Sequence, residues 1–226
     1  MFHDLVNEAR QRAAAVKEGC AHVPLSPGPK WICRIASDIP DRKSWANGGL
    51  PADVAQTLLR LEPASVRLRE LENKRGGMLA LSALDAEGRY RGYAYVGQDR
   101  VIEMVGVIGA GVWGDSQRTW WPGTYEARML SMLSSTIRPL LDQLNQGRTA
   151  YLFMTVADIE DTAIVTDFEG VERPFALPRG MRAVELEPVR LDDSPSSRSM
   201  LVASFNKVRE AVGLRNAIPF YLKDPC

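Results

Sequence analysis

Apolar positions recur along the chain with two periods, and the switches between them lay out the elements. Over residues 4–17, Leu5, Ala9, Ala13 and Val16 share one stripe at helical spacing. Asp4 is placed as N-cap, Glu8 precedes Arg12 by one turn, and Gly19 ends the helix. Residues 24–29 form a proline-rich loop, after which Trp31, Cys33 and Ile35 alternate on one face of a strand over residues 30–37. Pro40, Asn47, Gly48 and Gly49 mark 38–50 as loop, and Pro51 opens a helix over 52–61.

Alternation then takes over. Val66 and Leu68 point inward and Arg67 and Arg69 outward over 65–70, followed by short β runs at 78–84, 90–96 and 100–107. The connections Asp85-Ala-Glu-Gly88 and Gly97-Gln-Asp99 are turn sequences too short for parallel crossovers, so these runs form an antiparallel meander. Residues 109–123 are irregular and rich in tryptophan. Thr124 is expected to cap a long helix to about residue 146, with Met129, Leu133, Ile137, Leu141 and Leu144 buried and a kink at Pro139. Residues 148–156 and 163–166 read as a hairpin, and 182–191 as a further extended run. The last helix carries Ser194 as N-cap, Pro195 in the first turn, a stripe of Leu201, Phe205, Val208 and Val212, and a Schellman ending at Gly213 and Leu214. The expected fold is a mixed α+β domain, a mainly antiparallel sheet with three to four packing helices. It is read as one domain over residues 1–226, with a subdivision near 108–124 as the alternative.

Composition changes little in this picture. The 226 residues suffice for a large core without disulfides or metals. Lys plus Arg and Asp plus Glu are both 28, and residues 1–113 hold 15 basic and 13 acidic side chains. A nucleic-acid site therefore has to be a local patch rather than a property of the whole surface. Three cysteines without repeated short spacing fit reduced thiols in a cytoplasm. No signal peptide and no apolar run of membrane-spanning length is present, so a cytoplasmic location and no membrane partner are expected.

No motif supplies a reaction centre. Gly109-Ala-Gly111-Val-Trp-Gly114 matches a dinucleotide-binding glycine pattern, but neither a following helix nor a βαβ unit supports it. Cys20, His22 and Cys33 lack the paired spacing of a zinc site, and Asp158-Ile-Glu160-Asp161 lacks the alternating ligands of a calcium loop. His3 and His22 stand near no nucleophile elbow. No catalytic, cofactor-binding or metal residues are assigned and no cofactor is expected. Two surface groups remain. Arg67, Arg69, Lys74 and Arg75 are candidates for phosphate contact, with Glu70 and Glu72 interleaved. Trp113, Trp120 and Trp121 with Arg118 are candidates for a protein interface, set against burial in the core.

Several segments together carry a resemblance. They are the helix at 8–19, the strand at 30–37, Val66-Arg-Leu-Arg69, residues 78–82, Tyr95-Val-Gly-Gln-Asp-Arg-Val-Ile-Glu103, and Tyr125-Glu126 at the start of the long helix. Tyr151-Leu-Phe-Met-Thr155, Val184-Glu-Leu-Glu-Pro-Val-Arg-Leu191 and Phe205-Asn-Lys-Val-Arg-Glu-Ala-Val-Gly213 complete it. In this order they resemble the region downstream of the AlbA-type, Schlafen-like DNA-binding domain in bacterial proteins often labelled ATP-binding. The resemblance implies no catalytic residues. The DNA-binding domain itself is expected to be missing, because Met1 stands almost at the first helix. The expected role is a non-catalytic accessory module of a nucleic-acid-associated regulatory or antiviral defence system, working with a protein partner or as a homo-oligomer. Direct nucleic-acid binding through the local basic patch, and an enzyme of unrecognised type, are the alternatives.

Overall fold

The computed structural model describes residues 2–37, 52–74, 76–112, 118–144, 150–192 and 196–215. Helix α1 (Phe2–Lys17) leads through a loop to strand β1 (Lys30–Ser37), and α2 (Ala52–Leu58) to a tight turn at Pro63–Ser65. Strands β2 (Leu68–Lys74), β3 (Gly77–Ser82), β4 (Gly92–Gly97) and β5 (Ile102–Val107) are consecutive antiparallel neighbours, the expected meander. Short strands β6 (Gly111–Val112) and β7 (Arg118–Trp120) precede helix α3 (Pro122–Met132), which continues through a widened turn at Leu133–Ile137 into α4 (Arg138–Gln143). Then come β8 (Ala150–Ala157), β9 (Thr162–Phe168), β10 (Val171–Ala176), β11 (Ala183–Glu185), β12 (Val189–Leu191) and α5 (Ser196–Glu210).

The large sheet runs β11-β8-β1-β5-β4-β3-β2, with β12 also on β8, and every pair in it is antiparallel. The small sheet runs β10-β9-β7-β6, where β7 and β9 form the parallel pair. The fold is α+β and mainly antiparallel, as expected. Strand alternation sends Trp31, Cys33 and Ile35 into one core with α2, α3, α4, α5 and the small sheet. Ile32 faces the other way, against Ala13 and Val16 of α1.

Local chemistry explains the boundaries. At Gly213 (φ 82°) the Leu214 N–H donates to Arg209 O and the Gly213 N–H to Glu210 O, the expected Schellman ending of α5. Gly19 closes α1 in the same way. The kink expected at Pro139 is a wide turn one residue earlier, where Arg138 N–H reaches back five residues to Leu133 O. Widening the turn makes room for a ring that carries no donor. Thr124 is not the cap: Pro122 starts α3, because its fixed φ suits a first helical turn, and extended Trp121 precedes it.

The hairpin expected between residues 148–156 and 163–166 does not form. Asp158 and Asp161, both at positive φ, turn the chain out of the large sheet. Strand β9 pairs instead with β10 across the turn Glu169-Gly170, both at positive φ. Strand β10 has little apolar alternation and carries Pro174, which suits its place at the sheet edge. The run at 182–191 is interrupted: β11 and β12 both lie along β8, with a break at 186–188. The loop expected at 38–50 and the caps at Ser194 and Pro195 lie outside the described residues.

Among the described residues, one ion pair is wholly buried. Arg209 of α5 makes two 2.8 Å hydrogen bonds to the carboxylate of Glu126 in α3, and its Nε donates to Thr166 of β9 at 3.3 Å. The two side chains are 1% and 0% exposed, so removing one partner strands the other charge in the core. We predict that Glu126→Gln or Arg209→Met alone destabilises the chain by about 3–5 kcal/mol in urea unfolding, whereas Glu126→Leu with Arg209→Met recovers most of that loss. Additive losses in the double variant would show that the pair's charge is not what matters.

Candidate nucleic-acid interface

In an antiparallel meander, alternate strands begin at the same end of the sheet. Here the starts of β2, β4 and β1 and the ends of β3 and β5 align: Leu68 pairs with Ser82, Gly92 with Gly106, and Lys30 with Val107. Along this end the surface sinks into two adjoining depressions. One, of about 340 Å³, is walled by Ser65, Arg67, Arg69, Arg91, Thr124 and Tyr125. The other, of about 420 Å³, is walled by Ser26, Pro27, Asp85, Arg91 and Arg118. Arg91 and Gly109 belong to both. A Cβ added at Gly109 would stand 3.6 Å from Tyr125 Oη and 3.8 Å from Arg91 Nη2, so the guanidinium sits close against this glycine.

The arginines reach this place for local reasons. The turn at Pro63–Ser65 lies on β5 so closely that a Cβ on Gly106 would fall 2.2 Å from Pro63 O. That contact fixes the approach of the chain to β2. Val66 and Leu68 are buried and Arg67 and Arg69 exposed, as alternation predicts. A register shift between Leu68 and Glu70 marks Arg69. The Arg91 backbone N–H donates to Ser82 Oγ at 2.9 Å, and Tyr125 Oη donates to Gly109 O at 3.1 Å. Burial raises the Tyr125 phenol above its ordinary pKa, so it stays protonated.

Among the described residues, no carboxylate pairs with Arg67, Arg69, Arg91 or Arg118. Asp85 is the acid in the lining, and its charge is engaged. Ser26 Oγ donates to it at 2.6 Å, the Glu87 and Arg89 N–H groups donate to its other oxygen, and Arg89 lies 3.6 Å away. The Ser26 hydrogen bond comes first in holding this carboxyl below its usual range. Four exposed guanidiniums around a recess can donate hydrogen bonds to phosphate oxygens.

The two predicted surface groups are redistributed. Arg67 and Arg69 line the groove, but Lys74 stands at the far end of β2, roughly 20 Å along the strand, with its ammonium on His22 O. Arg75 and Trp113 lie outside the described residues. Trp120 is not a surface anchor. Its ring is 0% exposed, and its Nε1 donates to Thr162 Oγ1 at 3.2 Å between β7 and β9. Trp121 is half-buried with its ring against Gly111, while Arg118 is exposed at the groove. Gly111 of the glycine run lies in β6, and the next described element is β7 rather than a helix. Cys33 is buried, and burial pushes its thiol pKa up, so it is no ready metal ligand. Sequence reasoning missed Arg91, although its place just before β4 parallels that of Arg67 before β2.

Polar groups also converge on the α1 face of the sheet. Arg12 grips Glu103 in two hydrogen bonds, at 2.6 and 2.9 Å, and Tyr93 Oη donates to Glu103 at 2.6 Å. His22 lies 3.6 Å from Glu103 and stacks on Tyr95 at 4.1 Å. No motif in the sequence marks this gathering, because Arg12, His22, Tyr93 and Glu103 come from separate segments. Its chemistry is that of a clamp. Burial pushes the Glu103 carboxyl up, but the Arg12 hydrogen bonds and charge, with Tyr93, outweigh it and hold the group below its ordinary range. Burial lowers His22, and Tyr93 is raised chiefly by burial. A firmly ionised carboxylate and a firmly protonated phenol transfer no protons at neutral pH.

No family model, curated protein or solved structure matches the chain.

Two predictions follow from these placements. Trp120→Ala should cost about 3–5 kcal/mol of stability, and Arg118→Ala less than about 0.5 kcal/mol. Equal, small losses in thermal unfolding would return Trp120 to the surface. Acidification gives the second. The folded chain holds His22 neutral, whereas the unfolded chain protonates it near its ordinary 6.5, so protons favour unfolding and stability falls as pH drops through that value. Glu103 adds a further loss below its ordinary 4.5, where the unfolded carboxyl protonates first. His22→Gln should flatten the denaturation midpoint between neutrality and about pH 5 and leave the lower step in place. An unchanged profile above pH 5 would exclude His22 as its source.

Proposed function

We propose that this chain is a nucleic-acid-binding module that holds its ligand in the arginine-lined groove at one end of the large sheet. The observation that carries this reading is the convergence of Arg67, Arg69, Arg91 and Arg118 on two joined depressions, with no acidic partner for any of them among the described residues. Unneutralised guanidiniums around a recess are stabilised by phosphate oxygens and release counterions when these bind. A balanced total charge does not oppose this, since binding depends on the local field.

The resemblance to the region beside an AlbA-type, Schlafen-like DNA-binding domain points to the same class of partner. On that resemblance we place the module in a bacterial cytoplasm, acting as an accessory to a nucleic-acid-associated regulatory or defence system. Among the described residues no helix is long and apolar enough to cross a membrane. With Trp120 in the core, the tryptophan segment offers less to a protein partner than the groove offers to phosphates.

The test is the salt dependence of binding to a random-sequence oligonucleotide. Four phosphate contacts on a single strand give a slope of about −2.8 in log K against log salt, at about 0.7 per contact. Arg67→Ala with Arg69→Ala should reduce it to about −1.4, while Lys74→Ala leaves it unchanged. No retention of DNA or RNA at low salt, or equal loss from Lys74→Ala, would remove the groove as the site.

A further inference from the structure

Resting on that nucleic-acid reading, we infer that the groove takes one unpaired strand over about four nucleotides, the lower end of single-strand site sizes, and does not accommodate a duplex. The recess crosses the ends of β2, β3, β4, β5 and β1, five adjacent strands. Four inter-strand gaps of about 4.8 Å make it roughly 19 Å long. A site of that length contacts a short run of nucleotides.

Its cross-section selects the strand. Arginines line both depressions, and beside them lie the accessible apolar faces of Tyr125 in one and Pro27 in the other, with the Ser65 and Thr124 hydroxyls among them. An unpaired strand can lay base faces on that apolar surface and keep its phosphates at the guanidiniums. A duplex has its bases stacked and paired inside, and proteins read it by inserting a projecting helix or ribbon into its grooves. A recess projects nothing. It would meet only the duplex's phosphate ridge and leave its apolar surface uncovered.

The end of the site is also marked. Beyond β1 the next strand end is that of β8, where Asp158 takes the Lys30 ammonium and Glu160 and Asp161 follow, both exposed. Lys30 is thereby spent on a carboxylate, Glu160 pairs with Arg182, and exposed Asp161 carries the same charge as any phosphate that continues in this direction. The strand is held over the arginines and turned away at the acidic turn.

The experiment is fluorescence anisotropy at low salt with the full chain, using labelled single-stranded oligonucleotides of increasing length and a duplex of the same sequence. The expected result is single-strand binding at least about tenfold tighter than duplex binding, with affinity rising to about four nucleotides and then levelling. Duplex binding as tight as single-strand binding, or affinity that keeps climbing well past that length, overturns the inference and leaves the nucleic-acid reading standing. Binding of neither form overturns both. Glu160→Gln with Asp161→Asn should move the plateau to longer strands, and an unmoved plateau removes the acidic turn as the end-stop.

Discussion

The architecture turns on a charge pair placed where charges are costly. Glu126 and Arg209 lie out of water in the core, and a lone ion there would cost several kcal/mol. Two parallel hydrogen bonds, with Thr166 accepting from the guanidinium Nε–H, make the burial tolerable and fix geometry that apolar packing leaves loose. Three elements meet at this point: α3, α5 and β9. Glu126 follows directly on Thr124 and Tyr125, which wall the groove, so the pair that ties α5 to the core also sets the first turn of α3 against the sheet end.

The same side chain serves opposite ends according to its surroundings. Arg12 and Arg209 are each gripped by one carboxylate in paired hydrogen bonds, and act as ties between a helix and the element beneath it. Arg10 and Arg182 are in exposed ion pairs that contribute little to stability. These pairings consume acidic groups over much of the molecule, so a chain of zero formal charge can still present unpaired positive charge at one sheet end. Balance in the sum and imbalance in space are compatible, and the second is what a polyanion meets.

Much of the fold was legible because local signals and tertiary structure agreed. The strand at Lys30–Ser37, the order of the meander, α1 and the ending of α5 fell where periodicity and turn chemistry put them, although β2 begins three residues later than expected and runs on to Lys74. The failures share a cause. Strand β10 and the β8–β9 separation depend on which sheet a strand joins, and a run such as Val171–Ala176 carries no apolar period to announce it. Trp120 was ambiguous because burial of a tryptophan in an irregular segment is decided by a distant partner, here Thr162. The site was half visible. Arg67 and Arg69 stood out as a cluster in sequence, which wrongly drew in Lys74 at the other end of the same strand, and Arg91 and Arg118 were not joined to them.

That error points to how such a site is better read. In a meander, neighbours in sequence are carried to opposite ends of the sheet within about seven residues, while residues two strands apart return to the same end. A basic run along one strand is therefore a poor guide to a basic surface. Arginines that recur just before alternate strands are a good one, because strand pairing alone brings them to a common edge. Arg67 before β2 and Arg91 before β4 obey that rule, and Ser82 at the end of β3 lies between them. Arg118 arrives by a different route, through the small sheet, and closes the far wall. The recess is thus a product of topology first and composition second. A charge reversal at Arg91 would reach both depressions at once, whereas the same change at Lys74 would touch neither.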